Sequence, residues 1–242
     1  MQKEEDKLIS RSYDLILKHG LTIHEMRIML RLIEALQTFT KDYSLAQKTT
    51  LEDIVLYLPV NSLVPVVDTD YSYDLMRSSF KSLEQKKVAV YGMDSEGEYV
   101  THAGLIMQSS FYFHNRVVKV QLSRDLLPDL LALSRDCAKY LDLKVAFNSS
   151  SLYVMKLYLL VSHLRSKTNE TVSLDVLRDW LDLEAKYEHP SDIKRWVLEP
   201  VSKELQELAD VWFEVDSTVK SGKLVTGYVF KICERGATVK NG

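Results

Sequence analysis

Glycine and proline are scarce, with 8 and 5 in 242 residues. A sandwich of many short strands needs a turn former at each corner, so this scarcity points to an α-rich chain. Cysteine is scarcer still. Cys137 and Cys233 stand far apart with no Cys-x-x-Cys and no Cys/His ligand spacing, which excludes a disulfide scaffold and a structural zinc site and fits a reduced cytoplasmic protein. No GxxxxGK[ST] or GxGxxG loop is present to cradle a phosphate, so an ATPase or helicase is not expected. No two histidines are one residue apart; His19 and His24 are five apart and His102, His114, His163 and His189 are scattered. A nicking tyrosine beside a His-x-His metal site is therefore not expected either. The charged start Met1-Gln2-Lys3-Glu4-Glu5-Asp6-Lys7 is unlike a signal peptide, and no apolar run is long enough to span a membrane.

One acidic pair, Asp68-Thr69-Asp70, matches the carboxylates that hold two metals in polymerase sites. It precedes a helix, where aspartate serves equally as a cap, and no third acid is placed by pattern. The chain is read as non-enzymatic, with no cofactor and no metal.

A hydrophobic content of 46% supports a real core, in one large domain or two small ones. The net charge of −3 argues against non-specific coating of nucleic acid, which calls for a strongly basic domain. The charge is unevenly spread. From Asp216 to Gly242 five bases face two acids, a net +3, which leaves −6 on the remainder.

After a short charged arm, Ser10–Gly20 holds one amphipathic turn. Thr22-Ile23-His24-Glu25 is a capping box that opens a helix to about Gln37, with Met26, Met29, Leu30, Ile33 and Leu36 on one face. A second helix is expected from Thr50 to Pro59, carrying Leu51, Ile54, Val55 and Leu58, then a loop to Asp70. A third should run from Ser72 or Tyr73 to about Gln85, with Leu75, Met76, Phe80 and Leu83 inward and Arg77, Lys81, Lys86 and Lys87 outward. Val88–Tyr91 and Tyr99–Met107 read as strands about a turn at Asp94–Gly97, and Phe111–Leu122 as a further strand. A short helix is placed over Leu126–Leu133. Helices over Ser149–Arg165, Ser173–Leu183 and Ser191–Leu208, with strands Val211–Val215 and Val225–Ile232, then repeat the order of three helices and a hairpin without repeating the sequence.

The last helix carries an apolar stripe, Ile193, Trp196, Val197, Val201, Leu205 and Leu208, with Ser191, Lys194, Arg195, Ser202 and Lys203 off it. Ser191 or Asp192 is placed to cap it. Pro200 lies inside the pattern and would cost about 3 kcal/mol in a straight helix, so a kink near Glu199 is expected. The stripe alone also describes a core helix with a solvated charged face. The residues C-terminal to the helix narrow the choice: Ser221-Gly222 is a two-residue hairpin turn between Lys220 and Lys223. A helix succeeded by a basic hairpin is the order of a recognition helix and its wing.

The run Ile193-Lys194-Arg195-Trp196-Val197-Leu198-Glu199-Pro200, with Lys203-Glu204-Leu205, Phe213-Glu214-Val215 and Ser221-Gly222-Lys223, resembles the C-terminal domain of iteron-binding plasmid replication initiator (Rep) proteins. The helix from Thr22 resembles the first long helix of the N-terminal domain of that family. This chain has Trp196 where a further arginine is common. The resemblance spans about Leu8 to Ile232 and is most specific over 193–232.

It implies an α+β, mainly α, fold of two tandem winged-helix domains: 1–125, for dimerisation and DNA contact, and 126–242, for the main DNA recognition. It implies binding of repeated origin DNA by Lys194 and Arg195 at bases, by His189, Ser191 and Lys203 at phosphates, and by Lys220, Ser221 and Lys223 from the wing. Tyr73, Arg77 and Lys81 occupy the equivalent face in the first domain, where a solvated face is the alternative. Implied partners are duplex DNA with direct repeats, host replication initiator and helicase proteins, and a second copy through the N-terminal domain, with repression of its own gene. The rival readings are a winged-helix transcriptional regulator and a helical protein scaffold.

Overall fold

The structure is a computed structural model and describes residues 13–41, 54–63, 73–183 and 186–236. The charged arm, the polar stretch after residue 41 and the Asp68–Asp70 pair lie outside these residues. The chain forms two compact units, Met1–Lys139 and Tyr140–Gly242.

In the first unit a short helix α1 (Asp14–Leu17) ends at Gly20, whose φ of +54° suits glycine. Helix α2 (Ile23–Lys41) is opened by the expected capping box: the Thr22 amide donates to the Glu25 carboxylate at 2.6 Å, and the Glu25 amide donates to Thr22 Oγ1 at 3.3 Å. Met26, Met29, Leu30, Ile33 and Leu36 are buried as the period requires. Lys86, expected to point outward, instead donates to the carbonyls of His19 and Gly20 and lies 3.5 Å from Glu25. It is held by the loop ahead of α2.

The expected second helix is a strand. β1 (Ile54–Pro59) buries Ile54, Leu56 and Leu58 and exposes Tyr57 and Pro59, a period of two that Val55 and Leu58 had disguised as helical. A short helix α3 (Val60–Leu63) lies in the expected loop. Helix α4 (Tyr73–Gln85) matches its predicted span and buries Met76, Phe80 and Leu83. Strands β2 (Lys87–Asp94) and β3 (Gly97–Gly104) pair as the expected hairpin.

The single strand expected over Phe111–Leu122 is two, β4 (Gln108–Tyr112) and β5 (Val117–Leu122), separated by a turn. β5 lies between β1 and β4 in a three-stranded sheet, while β2 and β3 form a separate ribbon. Helix α5 (Leu127–Tyr140) is longer than expected. Its Ser134 carbonyl accepts from Gln37 and its Ser134 hydroxyl donates to Ile33 O, which ties α5 to α2. The boundary read after Asp125 thus falls upstream of the division between the units.

The second unit begins with α6 (Leu143–Asn148) and α7 (Leu152–His163), the latter capped by Ser151 and buried along most of its length. An unexpected strand β6 (Asn169–Ser173) precedes α8 (Leu174–Leu181), whose N-cap is Ser173. Next comes one long rod, α9, made of Pro190–Ile193, a π-turn Lys194–Leu198 and Glu199–Leu208. β7 (Val211–Ser221) and β8 (Leu224–Glu234) close the unit, with β8 central in the order β6-β8-β7. Gly227 lets β6 approach, since a Cβ there would lie 2.7 Å from the Val172 carbonyl. Phe213 and Phe230 stack at 4.4 Å beneath α9, and the Ser202 hydroxyl of α9 donates to the Phe213 carbonyl.

Among the described residues each unit therefore runs two helices, a strand, two helices and a hairpin. In the second unit the three expected helices and the hairpin are present, with β6 inserted after the first of them; in the first unit the expected helix over Thr50–Pro59 is the strand β1, and the short α3 stands where a loop was expected. The first unit adds β4 and β5.

Candidate nucleic-acid interface

Helix α9 starts at Pro190, where a missing N–H leaves nothing unsatisfied, and its N-cap is His189 rather than Ser191 or Asp192. The two latter residues lie within the first turn because proline sets the start. Two side chains fix that start. Arg178 of α8 donates to the carbonyls of Leu183, Tyr187 and Glu188, and Tyr228 of β8 donates its hydroxyl to the Pro190 carbonyl at 2.5 Å. Burial pushes the Tyr228 phenol above its ordinary 10.0, which keeps it a donor. Sequence reading missed both, since neither carries a motif.

Pro200 does not break the rod. Having no N–H, it would orphan a carbonyl one turn earlier in an α-helix. The backbone instead widens into a π-turn, with the Glu199 amide donating to the Lys194 carbonyl five residues back. The expected kink thus takes the form of one extra residue in the turn. That extra residue re-sorts the faces. Ile193, Val197 and Leu198 point into the core, and Trp196, placed on the apolar stripe by α-helical spacing, is 56% exposed. Leu208, also assigned to the stripe, is 43% exposed.

The outward face of α9 presents Ser191, Arg195, Trp196, Glu199 and Lys203, with Lys194 partly exposed beside them. The Arg195 guanidinium lies 4.8 Å from the centroid of the Trp196 ring, within cation–π range. Lys194 approaches Glu199 at 3.9 Å, so its charge is partly balanced. Lys203 has no ion-pair partner among the described residues, while its neighbour Glu204 accepts from the amide and hydroxyl of Ser150. His189 is exposed at the helix start.

The wing extends from this helix. Its turn is Gly222-Lys223, one residue later than read, because Ser221 pairs with Leu224 and Gly222 takes φ +62° at the first central position. Lys220, Ser221 and Lys223 are all exposed there, and neither lysine has an ion-pair partner among the described residues. Register shifts at Val215/Ser217 and Val219/Lys220 add twist to the ribbon. Lower on the same ribbon Lys231 is bound to Glu214 at 3.0 Å, and that hydrogen bond raises its pKa.

In the first unit Tyr73, Arg77 and Lys81 recur every four residues along α4. Arg77 and Lys81 are exposed, on a groove also lined by Ser78 and Ser109. Tyr73 differs: it is half-buried, its ring edge-on to Phe111 at 5.9 Å and tilted against Phe113 at 5.6 Å. The first hairpin exposes Glu96 and Glu98 at its tip, so it lacks the basic end of the second.

Among the described residues no group of three or more His, Cys, Asp or Glu is placed to hold a metal ion, and no helix is long and apolar enough to cross a membrane. Cys137 is buried; Cys233 is half-buried, its thiol pushed up by burial and by Glu214.

Comparison with known proteins gives a consistent picture. One family model, Initiator Replication protein, WH1, matches residues 8–162, and a second, Initiator Rep protein, WH2, matches residues 173–232. No curated protein matches the chain by sequence. Among solved structures, the Pi initiator protein in complex with iteron DNA is similar over 93% of this chain and 96% of that one, at 16% identity and a TM-score of 0.66. Domains 2 and 3 of RctB are similar over 88% of this chain and 82% of that one, at 11% identity and a TM-score of 0.51. Such identities speak for the fold. With the two family matches together taking in most of its length, this chain belongs to the initiator Rep protein family and carries that family's paired winged-helix domains.

Proposed function

We propose that this chain initiates plasmid replication by binding directly repeated origin sites, or iterons, in duplex DNA. The observation that carries the reading is the outward face of α9, where Arg195 and Lys194 stand next to a wing whose tip lysines are unpaired among the described residues. Arg195 and Lys194 contact base edges in a major groove. His189, Ser191, Lys203, Lys220, Ser221 and Lys223 hold the flanking phosphates. Tyr73, Arg77 and Lys81 of α4 form a second, weaker contact, in which Tyr73 acts by supporting the aromatic cluster at the helix start. The protein acts by binding alone, without catalysis. It recruits host initiator and helicase proteins, dimerises through the first unit and represses its own gene.

The rival is a winged-helix transcriptional regulator. Selection of duplexes from a randomised pool by the full chain, followed by titration on one and on several tandem copies, separates the two. The initiator reading expects one chain per copy and loading on direct repeats. A fixed dimer that requires an inverted repeat would overturn it in favour of the regulator. Absence of any selected duplex would remove both.

A further inference from the structure

We propose that Trp196 reads sequence directly, recognising the 5-methyl group of a thymine next to the guanine taken by Arg195. The inference rests on the DNA-binding function proposed for this chain and adds a base contact to it.

Three observations carry it. The π-turn forced by Pro200 turns Trp196 out of the core, leaving the indole 56% exposed on the face that carries Arg195. Trp180 and Trp212, the other two tryptophans, are largely buried, so Trp196 is the indole turned furthest outward. The Arg195 guanidinium already rests on it at 4.8 Å, so one residue limits the freedom of the other before any ligand arrives. An indole offers a phosphate only a single N–H, whereas lysines for that purpose are already present at Lys203, Lys220 and Lys223. What an apolar ring offers in a major groove is contact with the one apolar feature of a base edge, the thymine methyl. An arginine fixed for bidentate pairing with guanine O6 and N7 then places the ring over a neighbouring base pair.

The test uses the full chain and the duplex it selects from a randomised pool. Each thymine is replaced singly by deoxyuridine, which removes only the methyl. One position should weaken wild-type binding by about fourfold, the worth of one buried methyl-sized group. Trp196→Ala should bind more weakly and lose that sensitivity while keeping the wild-type melting temperature and salt dependence. Trp196→Phe should keep it. The proposal is overturned if no uracil position matters, if Trp196→Ala retains the same uracil pattern, or if Trp196→Ala changes no DNA affinity and only impairs capture of a protein partner. If no duplex is selected at all, the DNA-binding function fails first and this inference with it.

Discussion

Replacing Lys223 by alanine should change the salt dependence of binding more clearly than the affinity at any single salt concentration. The side chain sits in the Gly222-Lys223 turn, exposed and with no ion-pair partner among the described residues. A lysine in that state has counterions of the phosphate to displace, and each such contact steepens the log–log dependence on salt by about 0.9. Between 50 and 200 mM salt one contact is therefore worth about 3.5-fold, so the defect of Lys223→Ala should shrink by about that factor over the range. Lys231 is the internal control. It is on the same ribbon, but Glu214 holds it at 3.0 Å and raises its pKa, so it stays charged yet already neutralised. Lys231→Ala should leave the slope unchanged. Fluorescence anisotropy on the selected duplex at four or five salt concentrations reads both slopes. A wild-type slope for Lys223→Ala, or an equal change for Lys231→Ala, would refute the assignment of the wing tip to the phosphates.

Arg195→Ala should cost about 1–3 kcal/mol and relax preference at one base pair, measured against single base-pair variants of the site. Gly227→Ala should lower the melting temperature of the full chain, because its Cβ would press on the Val172 carbonyl at 2.7 Å and part β6 from β8; overpacking of this kind costs about 1–3 kcal/mol. Burial raises the pKa of Tyr158 and Tyr228 above the ordinary 10.0, so the folded state holds these protons more tightly than the unfolded chain. Their contribution is complete below pH 10 and is lost as pH rises through the raised values. Alkaline melts should show Tyr228→Phe with a shallower loss above pH 10 than the wild type.

Local chemistry explains which elements were legible. The capping box and the span Tyr73–Gln85 rest on bonds within one turn, and both stand as read. β1 was misread because Ile54, Val55 and Leu58 fit a helical stripe as well as a strand; pairing with Val117–Leu122, far away in sequence, decided between them. β6 escaped notice for the same reason, since its five residues hold one buried side chain, Val172, and its partner is β8. At the candidate site the basic residues were visible as exceptions to a stripe. Trp196 was not, because counting by 3.6 assumes an unbroken α-helix and Pro200 changes the count just upstream of itself. The supports Arg178 and Tyr228 act through backbone carbonyls, which no residue pattern records.

In the second unit the long hairpin is also the sheet, so lengthening or twisting β8 is felt at β6 and at the start of α9 through Tyr228. Among the described residues of the first unit the β2–β3 ribbon has no third strand, and β1 is matched to β5 instead. Its tip can therefore gain or lose residues without disturbing any other strand pairing, which leaves that appendage the freer of the two to diverge between relatives and to accept an inserted tag.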